Sequence, residues 1–225
     1  VLLKPLPFRN PDRIVRIWEA PRPGVSNATS APDFLDWRRM STAFEALAAE
    51  TPVSMALTGA GEPVRLEGRA VMADYFRVFD VGVQLGRTFL PRDVEPGNDS
   101  VIVLSHAAWV AVFGADSGIV HRRVMLDGQP HEVIGVLGPG AFDRNEETRF
   151  WKPLVIRPGQ YTRGMHWLTV HGRLEPDLTP IQARDEMRGI AEALRDVTPS
   201  HKHTWLVEVE PIGTLLLGGN LRQSM

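Results

Sequence analysis

The chain has 225 residues, of which 43% are hydrophobic and 23% charged, and its formal net charge is −2. This profile is typical of a globular protein and excludes a disordered or fibrous chain. A charge so close to zero provides no basic field, so we expect no nucleic-acid partner. The sequence has no cysteine, which excludes thiol nucleophiles, cysteine-bound metals and disulfides. At this length the chain forms one large domain or two lobes of about 100 residues each.

Hydrophobic periodicity and turn residues divide the chain into three regions. The first region predicts a strand over residues 13–19, a helix from Ser30 to Ala49, and strands over 53–57 and 64–71. The helix start is well marked, because Pro32 lies in the first turn and Asp33 places a carboxylate near the positive end.

The middle region predicts a smaller mixed module. Its elements are a helix over 73–79, a loop over 82–93, a strand over 100–104, a helix over 107–113, a hairpin of 122–126 with 131–136, and a strand over 151–156. The hairpin surrounds Asp127-Gly128-Gln129-Pro130, whose composition strongly favours a turn.

The third region repeats the order of the first. It predicts a strand over 168–174, a helix opened by Thr179 and Pro180, and a strand over 205–209. Because the outer regions share this order, we expect an α+β fold with a split lobe. That lobe comprises residues 10–72 and 158–212, and residues 73–157 form an inserted, mixed α/β second lobe.

Few side chains suggest chemistry. His201 and His203 flank Lys202 and could point to one side of an extended segment, but two ligands are too few for zinc, and a solvated loop is the simpler interpretation. Ser105-His106 lacks a nucleophile motif, and Ser105 fits a helix cap better.

Glycine pairs and carboxylate pairs are equally uninformative. Gly59 with Gly61 and Gly138 with Gly140 lack the further residues of a phosphate loop and fit turns. Asp33 and Asp36 are three residues apart and lie on one side of the predicted helix, as a general acid/base pair would require. The simpler interpretation is that Asp33 stabilises the helix N-terminus and that Asp36 contacts Arg39. We therefore expect no catalytic, cofactor-binding or metal-ligating residues, no cofactor, and no enzymatic activity.

The ends of the chain are apolar but short. No stretch reaches the roughly 18 apolar residues of a membrane span. Residues 1–3 and 215–217 are brief apolar stubs, which suit a domain that lies between two hydrophobic segments. The trimmed ends of any multidomain protein would look the same. We describe 1–9 and 213–225 as membrane-proximal stubs.

The order of several motifs resembles MacB/FtsX-like permeases. The segment from Val1 to Glu19 is similar to the stretch after their first membrane helix, and Ser30-Ala31-Pro32-Asp33-Phe34-Leu35-Asp36-Trp37-Arg38 is similar to their first periplasmic helix. The other matching motifs are Ala73-Asp74-Tyr75-Phe76-Arg77-Val78-Phe79, Leu85-Gly86-Arg87-Thr88-Phe89, Val101-Ile102-Val103-Leu104-Ser105, Val112-Phe113-Gly114, Leu126-Asp127-Gly128 and Val133-Ile134-Gly135-Val136. The branch most resembled is the duplicated orphan permeases of acidobacteria.

The resemblance implies a MacB-like periplasmic core domain of an ABC transporter permease in the inner membrane. The split lobe is then similar to the porter domains of resistance–nodulation–division pumps. Expected partners are flanking transmembrane helices, a separately encoded cytoplasmic ATPase, and a periplasmic adaptor or a second copy of the permease domain. The implied role is mechanical coupling of ATP-driven helix movement to substrate export or release. The alternative is a periplasmic solute-binding or protein-interaction module.

Overall fold

The structure is a computed structural model that describes residues 8–59, 62–142, 147–157 and 159–214. The chain divides into two units. Unit 1 comprises Val1–Arg9 and Glu50–Val155, and unit 2 comprises Asn10–Ala49 and Ile156–Met225. Residues 50–72, which we expected in the split lobe, therefore group with the segment expected as the insertion.

Eleven strands and four α-helices are found in the described part of the chain. The strands are β1 (Ile14–Ala20), β2 (Thr29–Ser30), β3 (Phe44–Thr58), β4 (Val64–Val71), β5 (Val83–Gly86), β6 (Val101–Leu104), β7 (Arg123–Leu126), β8 (Gln129–Leu137), β9 (Phe150–Pro153), β10 (His166–Leu174) and β11 (Leu206–Pro211). The helices are α1 (Ala31–Met40), α2 (Tyr75–Phe79), α3 (His106–Phe113) and α4 (Pro180–Ala193). The expected α+β class, with a mixed sheet and few helices, is confirmed. None of these helices is long and apolar enough to cross a bilayer.

Unit 2 contains an antiparallel core sheet covered by helices. β1 pairs antiparallel with both β11 and β10, and the first part of β3 follows β10. α4 packs against β11. Apolar side chains from β1, α1 and β10 are fully buried and include Ile14, Ile17, Phe34, Trp37 and Leu168.

Unit 1 is a mixed sheet that begins with the second part of β3. The strand order continues through β4, β9, β6 and β8 to β5, and β7 pairs with both β3 and β8. The β4–β9 and β6–β8 pairs are parallel, whereas β3–β4 and β7–β8 are antiparallel. Gly68 on β4 leaves room for the buried Phe150 ring on the neighbouring strand β9, because a Cβ at position 68 would lie 2.5 Å from that ring.

The prediction of a helix reaching Ala49 is wrong. α1 ends at Met40, and β3 begins at Phe44. Residues just after the helix are bound by Glu186 of α4, since Glu186 Oε1 accepts hydrogen bonds from Ser41 Oγ at 2.7 Å and from the Thr42 amide at 2.6 Å. The following residues, 46–50, are all buried, so they lack the alternation that would reveal a strand.

The expected loop over 82–93 is also only partly a loop. It contains β5, which pairs antiparallel with β8, and a 3-10 turn at Pro91–Val94. β5 is a four-residue strand at the end of the sheet order with mostly exposed side chains, so it shows no apolar pattern. The hairpin of β7 and β8, the strand β4 and the helix start at Pro180 are confirmed.

Candidate functional site

Lys202 is buried in unit 2 at the end of a 3-10 helix, Ser200–Lys202, that precedes β11. Its side chain is 1% exposed. The ammonium nitrogen forms an ion pair with Glu19, lies 2.6 Å from Asp33 Oδ2, and donates to the Arg163 carbonyl at 3.1 Å. The three donors of the ammonium therefore all have acceptors, as a buried cation requires.

Arg163 extends this arrangement toward helix α1. Its guanidinium forms an ion pair with Asp33 and lies 2.5 Å from Asp36 Oδ2. Asp36 also pairs with Arg39 at 2.7 Å. Burial opposes ionisation of Asp36, but hydrogen bonds from Arg39 and Arg163 outweigh it and lower the pKa of the carboxyl.

The start of α1 positions Asp33. Ser30 is the N-cap, and its Oγ accepts a hydrogen bond from the Asp33 amide at 3.2 Å. The same hydroxyl donates to Asp33 Oδ2 at 2.5 Å, and the Ser30 amide donates to Glu19 Oε2 at 3.4 Å. One capping residue thus holds both carboxylates that receive Lys202.

Glu19 on β1 is the carboxyl whose ionisation is most disturbed. Burial, followed by the charge of Asp33, raises the pKa of Glu19 to about 7, although Lys202 and Ser30 oppose the shift. His166 Nε2 lies 3.3 Å from Glu19 Oε2 without hydrogen-bond geometry. Burial and the Lys202 charge lower the pKa of His166, so this neighbour favours its neutral form.

We call Glu19, Asp33, Asp36, Arg163 and Lys202 the ionic cluster. A cavity of about 210 Å³ lies beside it and is also lined by Trp37, Arg188 and Trp205. Arg188 is already paired with Glu208 at 2.5 Å. Ligand pockets usually enclose about 300–1,000 Å³, so this cavity is smaller than that range. The cluster joins β1, α1 and the segments before β10 and β11 by charge.

The histidines considered as metal ligands have other contacts. His203 Nε2 lies 2.9 Å from the Thr198 carbonyl, and the His201 ring packs on Trp205 with centroids 6.1 Å apart. Within the described ranges, no group of three or more His, Asp or Glu side chains could hold a metal ion. The interpretation of this segment as a solvated loop is wrong for Lys202, because the whole residue is only 4% exposed.

The remaining candidates have structural roles. Ser105 caps α3 by accepting from the Ala108 amide at 3.1 Å, and Gly59 and Gly140 have positive φ angles suited to turns. Gly61 lies outside the described residues. Asp33 lies at the start of α1 and Asp36 pairs with Arg39, as expected, but no local pattern indicates that Arg163 joins them. The scarcity of lysine, present only at positions 4, 152 and 202, was the one available hint for Lys202.

Comparison with known proteins identifies a domain of membrane permeases. The family model for the MacB-like periplasmic core domain matches residues 4–190, and the chain belongs to this family. It is the periplasmic domain of a MacB-like ABC transporter permease.

Solved structures share this fold. The periplasmic region of MacB from Actinobacillus actinomycetemcomitans superposes with a TM-score of 0.68 at 15% identity, covering 95% of this chain and 94% of that one. The extracellular domain of the noncanonic ABC-type transporter YknZ from Gram-positive bacteria gives 0.63 at 19% identity, covering 88% of this chain and 99% of that one. A comparison with curated proteins finds no match.

Proposed function

We propose that this domain couples ATP-driven movement of membrane helices to the export or release of a substrate. The observation that supports the proposal is the family match over residues 4–190. In this account the membrane helices flank the domain in the same permease, which lies in the inner membrane. A separately encoded cytoplasmic ATPase supplies the energy, and the domain itself performs no catalysis.

We further propose that the two units are the mechanical parts. Unit 2 corresponds to the porter-like split lobe, and unit 1 corresponds to the inserted lobe with residues 50–72 added. The chain passes between units after Arg9, Ala49 and Val155. Units joined by few chain crossings are expected to shift relative to each other unless a large apolar interface joins them. A periplasmic adaptor or a second copy of the permease domain is the further partner that we propose.

The location is tested with a cysteine at an exposed site. These 225 residues contain no cysteine, so Ile181→Cys on α4, where the residue is 60% exposed, introduces the only thiol of this domain into a permease whose other segments are free of cysteine. A membrane-impermeant maleimide should label the full permease in cells whose outer membrane is permeabilised. Met187→Cys is the matched control, since Met187 is fully buried on the same helix. Labelling of Ile181→Cys only after the inner membrane is lysed would contradict the proposal.

The partner is tested by co-purification. The full permease should retain a cytoplasmic ATPase whose ATP turnover changes on binding the permease. A permease that copurifies with no ATPase and shows no change in turnover would instead favour a binding module without transport coupling.

A further inference from the structure

Aromatic rings gather in unit 1 around the short helix α2. Tyr75 and Phe79 of α2 have centroids 5.0 Å apart, and the Phe142 ring lies 5.7 Å from Tyr75 and 5.0 Å from Phe79. Phe142 also contacts the buried Trp151 at 5.3 Å. Phe8 joins this group from the far end of the sequence, with its ring 5.0 Å from Phe79 and 5.5 Å from Phe142.

Phe142 adopts an unfavourable backbone conformation at this position. Its φ angle is 58°, in the left-handed region that bulky side chains rarely occupy. Such strain persists only where the surroundings determine the conformation, and it concentrates at clamps and switches. Here the surroundings are four aromatic rings, two of which belong to α2 and one of which is Phe8. The strained turn therefore presents an aromatic surface to residue 8.

Phe8 occupies a special place in the chain. Phe8 and Arg9 group with unit 1, although the sequence enters unit 2 at the next residue, Asn10. Asn10 has a φ of 45°, a left-handed conformation that asparagine tolerates. Arg9 lies 3.9 Å from the Asp80 carboxylate, but both side chains are largely exposed, so this ion pair contributes little. The aromatic contacts of Phe8 attach this segment to unit 1.

We propose that Phe8, Phe79 and Phe142 form an aromatic anchor. When the chain on the N-terminal side of residue 8 moves, this anchor passes the movement to unit 1 first and to unit 2 afterwards. Phe8 and Phe142 are positioning residues in this role. The inference rests on the proposed function, because it assumes that a membrane helix precedes the domain. It assigns to unit 1 the first response to that helix, while the turn at Asn10 separates the attached segment from unit 2.

Attachment is tested in the full permease by pulsed electron paramagnetic resonance between spin labels at Arg9→Cys and Val110→Cys. Both residues are in unit 1 and are exposed. The parent protein should give one narrow distance distribution, and Phe8→Ala should broaden it. Phe113→Ala is the matched control, since Phe113 is a half-buried phenylalanine of unit 1 that packs against the separate core around Trp109. An unchanged distribution in Phe8→Ala would overturn the anchor.

Transmission is tested with labels at Val110→Cys in unit 1 and Ile181→Cys in unit 2. Phe8→Ala should abolish the nucleotide-dependent change in their distance, and Phe113→Ala should keep it. Phe142→Leu, which retains an apolar side chain, should reduce the change without unfolding unit 1. A full-sized change in Phe8→Ala would overturn the inference. No change even in the parent protein would instead reject the proposed function, while the first experiment would still decide whether Phe8 is attached.

Discussion

The Lys202 ammonium lies 2.6 Å from a carboxylate oxygen of Asp33, although 169 residues separate the two positions. Asp33 is held at the start of α1 by Ser30, and Lys202 ends the 3-10 helix that precedes β11. The contact therefore joins the two sequence segments of unit 2 through a buried charge. Because removing one member of a buried pair leaves the other uncompensated, the stability of unit 2 should depend on it.

Replacing the buried lysine should destabilise the domain strongly. Lys202→Met keeps the length of the side chain but leaves Glu19 without its cation and Asp33 with Arg163 alone, which should cost about 3–5 kcal/mol of unfolding free energy. Lys152→Met is the control, because Lys152 lies in β9 of unit 1, outside the ionic cluster, and should cost much less. Urea unfolding followed by circular dichroism measures both. Equal stability of the two variants would show that the cluster contributes nothing.

The raised pKa of Glu19 predicts an unusual pH dependence. The pKa of Glu19 is about 7 in the folded protein, whereas the ordinary value for a glutamate is 4.5, so the folded state binds the proton more tightly than the unfolded state. This contribution to stability is complete below pH 4.5 and is lost as the pH rises through 7, a change of up to roughly 3 kcal/mol. Glu19→Gln should remove that component from a series of urea unfolding curves between pH 5 and 8.

The control for this series is Glu67→Gln, which alters an exposed carboxyl in unit 1. It should leave the pH profile as it is in the parent chain. A profile that Glu19→Gln does not change, or stability that rises with pH because of Glu19, would contradict the assignment.

Two glycines should respond to alanine in opposite directions. A Cβ at Gly68 would lie 2.5 Å from the ring of Phe150, which is fully buried, so the ring or the backbone must shift and Gly68→Ala should cost about 1–3 kcal/mol. Gly189 is within α4, and a Cβ added there would meet nothing within 4 Å outside the helix's own backbone, so Gly189→Ala should stabilise by about 0.5–1 kcal/mol. Thermal unfolding of both variants tests the pair. A stabilising Gly68→Ala would show that β4 and β9 pack less closely than described.

Local signals predicted much of the fold. Ser30, Ser105 and Thr179 begin helices where the sequence indicated, because a cap is determined by a few neighbouring residues. The β7–β8 hairpin follows from its turn for the same reason. The end of α1 could not be predicted in this way. The amide of Thr42, just beyond that end, donates to the carboxylate of Glu186, a residue far along the chain.

The ionic cluster escaped prediction for a related reason. Periodicity assigns Asp33 and Asp36 to a helix, but nothing local to them indicates Arg163 or Lys202 as partners. A charged residue between two histidines normally lies in solvent, and only the folded chain shows that Lys202 is enclosed. The contact of Phe8 with Phe142 is likewise invisible in sequence, since it joins positions at opposite ends of unit 1.

We propose that ATP use in the membrane-bound complex changes the distance between the two units of this domain. The distance between spin labels at Val110→Cys and Ile181→Cys tests this coupling in the full permease with its ATPase, measured without nucleotide and with ATP trapped by vanadate. Labels at Ile181→Cys and Val197→Cys, both exposed in unit 2, are the control pair. We predict a shift in the distance between units and none within unit 2. Identical distances between units in the two nucleotide states, in a complex that hydrolyses ATP, would show that ATP use does not move the two units.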